Sequence, residues 1–184
     1  MIETSGETRC GFIALLGAPN AGKSTLMNAM VGAKVSIVTQ KVQTTRTRIL
    51  GVTALGNSQL VFVDTPGIFK PRRRLDRAMV AAAWSGAADA DVVALLIDAG
   101  MRIEGDTRRI IDGLKKNEAR AVCVLNKIDT VPRENLLALI EELRREDLFT
   151  DFFMVSALKG EGVEELKQFF AERLPEGPWH FPAD

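Results

Sequence analysis

The sequence predicts an α/β fold on a six-stranded, mostly parallel sheet flanked by about five helices. Two observations carry this reading. Short apolar runs of strand length alternate with longer segments of helical period, the pattern of βαβ units. Two of the strand candidates are separated only by Gly56, Asn57 and Ser58, a hairpin signal that makes one edge pair antiparallel and the sheet mixed.

The elements follow in order. Phe12 to Gly17 is a nearly continuous apolar run, as expected of a parallel strand covered on both faces, and Gly22 to Val31 reads as the helix after it. Arg46 to Leu55 and Gln59 to Asp64 form the hairpin, with a helix candidate at Leu75 to Ala87. Val92 to Asp98, Ala121 to Asn126 and Phe152 to Ser156 are further apolar runs, alternating with helix candidates Asp106 to Lys116, Glu134 to Arg145 and Val163 to Arg173. The Glu134 helix shows its period best, with Leu136, Leu139, Ile140 and Leu143 on one face. Residues 1–174 form one domain, and the proline-rich stretch from Pro175 to Asp184 reads as a linker. In open α/β sheets ligands bind outside the carboxyl ends of the strands, which here are polar.

Composition narrows the classes. At 184 residues, 46% hydrophobic and 26% charged, the chain suits one globular domain and excludes disorder and low complexity. Lys plus Arg and Asp plus Glu both number 24, so a nucleic acid or an anionic membrane would have to be met by a local patch. Arg72, Arg73 and Arg74, with Lys70 and Arg77, form the dense basic run, a solvated face or a contact with ribosomal RNA or protein. Cys10 and Cys123 cannot build a disulfide framework, and a reducing cytoplasm fits. The longest uncharged stretch, Ile49 to Val63, contains Asn57, Ser58 and Gln59 and does not read as a membrane span. His180, alone in the tail, reads as non-catalytic, and Trp84 as packing.

Four strand ends carry chemistry. Gly17, Ala18, Pro19, Asn20, Ala21, Gly22, Lys23 and Ser24, followed by Thr25, fit the phosphate-loop pattern between a strand and a helix. Backbone amides would cradle phosphate oxygens, Lys23 would reach the β and γ phosphates, and Ser24 would ligate magnesium. Asp64, Thr65, Pro66 and Gly67 match a D-x-x-G switch, in which Asp64 holds magnesium through water and the Gly67 amide senses the γ phosphate. Asn126, Lys127 and Asp129 select guanine, because the Asp129 carboxylate can accept from N1–H and the exocyclic amine, whereas adenine would leave it unpaired. Ser156, Ala157 and Leu158 would offer the Ala157 amide to guanine O6. Each has a plain alternative, an ordinary turn or solvated loop; their shared order and position are what argue for a site.

In that order, these motifs resemble the translation-factor-related GTPases, which implies a Ras-like P-loop GTPase fold. Gln43, Thr44 and Thr45, within Lys34 to Arg48, are similar to the first switch of the Era, Der and MnmE branch, and the ending His180 to Asp184 is similar to the Era family. The resemblance implies GTP and GDP as ligands, magnesium held by Ser24, Asp64 and Thr45, and a role in small (30S) ribosomal subunit maturation through 16S rRNA. It also implies a cytoplasmic chain, monomeric as an isolated domain, with peripheral contact at the inner membrane in some members. In that family a C-terminal KH RNA-binding domain follows this point, and no G-x-x-G loop of the KH type occurs in this sequence.

Ile68 stands where Ras-like enzymes carry a water-orienting glutamine, and it cannot hydrogen-bond water. The resemblance assigns Asn20 to a potassium ion that replaces an arginine finger; the alternative is that its side chain stabilises the turn. Lys23, Asn20, Thr45 and Gly67 are thus the catalytic candidates. The competing readings are a guanine-nucleotide-dependent binding module with negligible turnover, a Der- or MnmE-like G domain, and a P-loop kinase or ATPase.

Overall fold

The structure, a computed structural model, describes residues 6–32, 48–64 and 90–182. Six strands form one sheet in the order β2-β3-β1-β4-β5-β6: β1 Arg9–Gly17, β2 Arg48–Leu55, β3 Ser58–Asp64, β4 Val92–Asp98, β5 Ala121–Asn126 and β6 Phe149–Met154. Only the β2–β3 pair is antiparallel, as the hairpin predicted. The described residues contain four helices, α1 Lys23–Val31, α2 Gly105–Lys116, α3 Arg133–Arg144 and α4 Val163–Arg173, and the candidate Leu75 to Ala87 lies outside them. A 3-10 turn, Ile128–Thr130, follows β5.

The sheet is central because its inner strands are apolar on both faces. One face packs Ile13, Leu15, Phe62, Leu96 and Val124 against α1 (Leu26, Met30) and α4 (Leu166, Phe170). The other packs Leu95, Ile97, Cys123 and Leu125 against α2 (Ile110, Ile111, Leu114) and α3 (Leu136, Leu139, Leu143). Burying side chains of this size contributes about 1.5–3 kcal/mol each against leaving them exposed. Burial also pushes the Cys123 and Cys10 thiols up, so neither is a ready nucleophile.

The order places β1 between β3 and β4. The chain runs outward from β1 to the hairpin and then crosses back to β4, and the carboxyl ends of β1, β4 and β5 meet at that reversal.

Two segments differ from expectation. β6 runs Phe149–Met154 rather than Phe152 to Ser156, because its register is set by pairing of Ala121 with Phe149 and Leu125 with Met154, while Ser156 forms a separate bridge to Glu161. The predicted linker is docked as far as Phe181. Cys10 N–H donates to the Pro175 carbonyl, Gly177 N–H to that of Thr8, and Trp179 Nε1–H to that of Asn57. Gln59 is buried beneath it: Oε1 accepts from the His180 and Phe181 amides at 3.0 and 3.1 Å, and Nε2 donates to the Phe181 carbonyl at 3.0 Å. His180 stacks on Phe12, with ring centroids 5.5 Å apart.

Candidate functional site

The phosphate loop leaves β1 at Gly17 and turns through an Ala21 N–H to Ala18 C=O hydrogen bond of 3.1 Å. Gly22, at φ 102°, begins α1, and a Cβ there would meet Asn126 Nδ2 at 2.3 Å, so only glycine fits this corner. Within the described residues α1 has no side-chain cap and no acidic residue in its first turn. Its first amides and positive dipole end therefore suit an anion. Lys23, at the start of α1, brings Nζ to 3.4 Å from Asp64 Oδ1 at the end of β3.

The residues predicted to recognise the base are tied to that loop. Asn126, 2% exposed at the end of β5, donates Nδ2–H to the Ala21 carbonyl at 2.9 Å and accepts the Ala157 amide on Oδ1 at 3.0 Å. The Ala157 N–H predicted for guanine O6 is thus engaged with Asn126 in this structure. Ser156, fully buried, donates Oγ–H to Asp129 Oδ1 at 2.9 Å and orients an otherwise exposed carboxylate. Leu158 is 82% exposed.

Lys127 spans the gap between strand ends. Its ammonium donates to the Asn20 carbonyl at 2.8 Å and to Asp98 Oδ2 at 3.0 Å. Asn20 and Lys127 both have left-handed backbones, φ 68° and 64°. Asparagine tolerates that region, so the turn alone gives Asn20 a reason to be there. Asp98 is the residue that sequence reasoning missed; its only signal was its place at a polar strand end.

The structure therefore gathers Gly17 to Thr25, Asp64, Asn126, Lys127, Asp129, Ser156 and Ala157 along one edge of the sheet. Gln43, Thr44, Thr45, Thr65, Pro66, Gly67 and Ile68 lie outside the described residues, as do the basic run around Arg73 and Trp84. Among the described residues no three His, Cys, Asp or Glu side chains cluster as a protein-only metal cage. Ser24 and Asp64 are instead a sparse set of hard oxygen donors beside a phosphate loop, which fits magnesium, an ion that keeps waters and binds through one or two carboxylates plus phosphate.

The chain is similar to known proteins over most of its length. A family described as "50S ribosome-binding GTPase" matches residues 12–127. The chain is 58% identical over 177 residues to GTPase Era of Sinorhizobium medicae, covering 96% of this chain and 57% of that protein. It resembles a crystal structure of Aquifex aeolicus Era bound to GDP.AlF4- (TM-score 0.76, 38% identity, 96% of this chain and 61% of that one). It also resembles Era in complex with MgGDPNP and nucleotides 1506–1542 of 16S ribosomal RNA (TM-score 0.78, 39% identity, 96% and 61%). The chain thus spans about six-tenths of the length of these relatives.

Proposed function

Because the chain belongs to the ribosome-binding GTPases and, within them, to the Era GTPases, we propose that it is a GTP-binding and GTP-hydrolysing switch acting in small-subunit maturation through 16S rRNA. The observation that carries the reading is the double hydrogen bond of Asn126, which locks the guanine-selecting loops onto the phosphate loop. An adenine-nucleotide enzyme has no need of an Asp129 carboxylate oriented by Ser156.

Hydrolysis of GTP demands positioning and charge neutralisation more than covalent chemistry. In this reading the amides of Gly22, Lys23 and Ser24 and the Lys23 ammonium hold the phosphates and take up charge that grows on the leaving oxygen. Ser24, Thr45 and, by way of water, Asp64 would hold magnesium, which would supply further positive charge to the phosphates. Asp129 accepts from the guanine N1–H and amine, and the Lys127 stem lies along the base. Thr45 and Gly67 respond to the γ phosphate. Ile68 leaves backbone groups to hold the attacking water, and Asn20 with the first switch binds potassium where another enzyme would insert an arginine.

Residues 175–184 lead, in the same reading, towards a C-terminal KH domain that makes most of the rRNA contact, the relatives being longer than this chain. The protein is then cytoplasmic, monomeric as an isolated G domain and at most peripheral to the inner membrane; no helix of the described residues is long and apolar enough to cross one.

The test is initial phosphate release from GTP with magnesium, in matched potassium and sodium buffers, with ATP as control. GTP turnover faster in potassium supports hydrolysis and the Asn20 assignment. Equal rates in the two salts would remove potassium, and ATP turnover at the GTP rate would sink the guanine reading. Ile68 favours one second reading, a guanine-dependent binding module, which tight GTP binding with no turnover would establish instead.

A further inference from the structure

We propose that Asp98 is a positioning residue for the nucleotide base, holding Lys127 across the base pocket and so setting how long a guanine nucleotide stays bound. The proposal rests on the guanine-nucleotide reading above, which gives Asp98 no role.

The geometry is specific. Asp98 ends β4, between β1, which feeds the phosphate loop, and β5, which feeds the Asn126 loop. Its Oδ2 accepts from the Lys127 ammonium at 3.0 Å, and its Oδ1 accepts from Gly100 N–H at 2.9 Å, so both oxygens are engaged and the carboxylate plane is fixed. The same ammonium donates to the Asn20 carbonyl at 2.8 Å. One cation thereby joins three strand ends through a lysine stem that is otherwise flexible.

Two residues of that bridge, Asn20 and the bridging Lys127, hold left-handed backbones. Such conformations persist in non-glycine residues when the surroundings over-determine them. Asp98 supplies that second constraint on Lys127. Without it the ammonium keeps one anchor, the stem regains rotamer freedom, and the face offered to the base has to be ordered at each binding event. Asp98 does not reach towards Asp129, whose partner is Ser156. Its loss should therefore shorten residence without changing which base is preferred.

The experiment follows dissociation of a fluorescent GDP analogue from the unsubstituted chain, Asp98→Ala, Asp98→Asn, Lys127→Met and the Asp98→Ala/Lys127→Met double variant, each checked by thermal unfolding. Asp98→Ala should speed dissociation about tenfold and leave the ratio of guanine to xanthine diphosphate residence unchanged. In the Lys127→Met background the same change should add less than about twofold, because the two residues act through one contact. Should Asp98→Ala fail to fold, Asp98→Asn carries the test, since it keeps an acceptor for Gly100 but loses the ion pair. Unchanged dissociation in a folded variant, or an undiminished effect when Lys127 is already Met, would overturn the role of Asp98. An unsubstituted chain that retains no guanine nucleotide would overturn the parent reading instead.

Discussion

Asn126 donates its side-chain N–H to the carbonyl of Ala21 at 2.9 Å, tying the end of β5 to a phosphate loop 105 positions earlier in the chain. Its oxygen holds the Ala157 amide at 3.0 Å, so three loops far apart in sequence share one buried side chain.

Replacing Asn126 by Ala leaves a buried carbonyl and a buried amide without their partner, at about 1–3 kcal/mol for each unsatisfied group. Denaturant unfolding should show a loss of that order, and GDP binding should weaken in the folded fraction. Asn126→Asp keeps the acceptor for Ala157 but sets an anion against the Ala21 carbonyl. It should therefore be no better, and binding close to that of the unsubstituted chain would show that the donor to Ala21 is dispensable.

Gly22 is expected to resist substitution more than Gly160, another left-handed glycine. Gly22→Ala meets both the backbone cost, about 1–2 kcal/mol, and Asn126 Nδ2 at 2.3 Å. Gly160, at φ 80°, has open space around its Cβ direction, so Gly160→Ala should show the backbone cost alone. Equal unfolding midpoints for the two variants would mean that the corner between Gly22 and Asn126 yields easily.

How much of this was legible in the sequence depends on range. β1, β4 and β5 could be read because strands buried on both faces are apolar throughout, and the site loops because each is a local motif at a strand end. β6 was misplaced because an edge strand takes its register from its neighbour, and its polar Thr150 and Asp151 broke the apolar run. The docking of the tail was hidden for a similar reason. Its anchor, Gln59, is a polar residue in β3, and nothing local says that its amide will meet His180 and Phe181. The Asp98–Lys127 pair depends on strand order, which no short pattern encodes.

Gln59 should therefore govern how firmly the tail is held. Gln59→Met fills similar volume but deprives the His180 and Phe181 amides and the Phe181 carbonyl of their partner. Hydrogen exchange at the His180 and Phe181 amides should quicken about fivefold or more, consistent with loss of hydrogen bonds contributing about 1 kcal/mol each, while β4 and β5 keep their protection. Unaltered exchange in the tail would show that the packing of Trp179 and Phe181 and the hydrogen bonds to Thr8, Cys10 and Asn57 hold it without Gln59.

Xanthine offers a C2 carbonyl where guanine carries an amine, so the group facing that edge decides between them. Asp129→Asn puts an amide donor opposite the carbonyl and removes the acceptor that guanine needs. Binding of GDP should fall by about a hundredfold or more, as expected when a site built for a hydrogen bond loses it, and binding of xanthosine diphosphate should rise. Competition between the two nucleotides measures both. A loss of GDP with no gain for the xanthine nucleotide would mean that Asp129 acts on the loop through Ser156 rather than on the base.

Glu146, after α3, accepts from Lys115 Nζ at 2.6 Å and Arg108 Nη1 at 2.7 Å and ties α2 to the α3 end. The Lys115 hydrogen bond foremost, with Arg108, holds its carboxyl below the ordinary range. A depressed folded-state value means that the unfolded chain takes up the proton first on acidification. The contribution is therefore complete above the unfolded carboxylate value, about 4.3, and disappears as pH falls through the lower folded value. Glu146→Gln should lower the unfolding midpoint at pH 7 and flatten the decline below pH 5. Both partners are partly exposed, so salt should reproduce part of the loss at pH 7. An acid limb identical in the two proteins would show that Glu146 does not contribute to the decline.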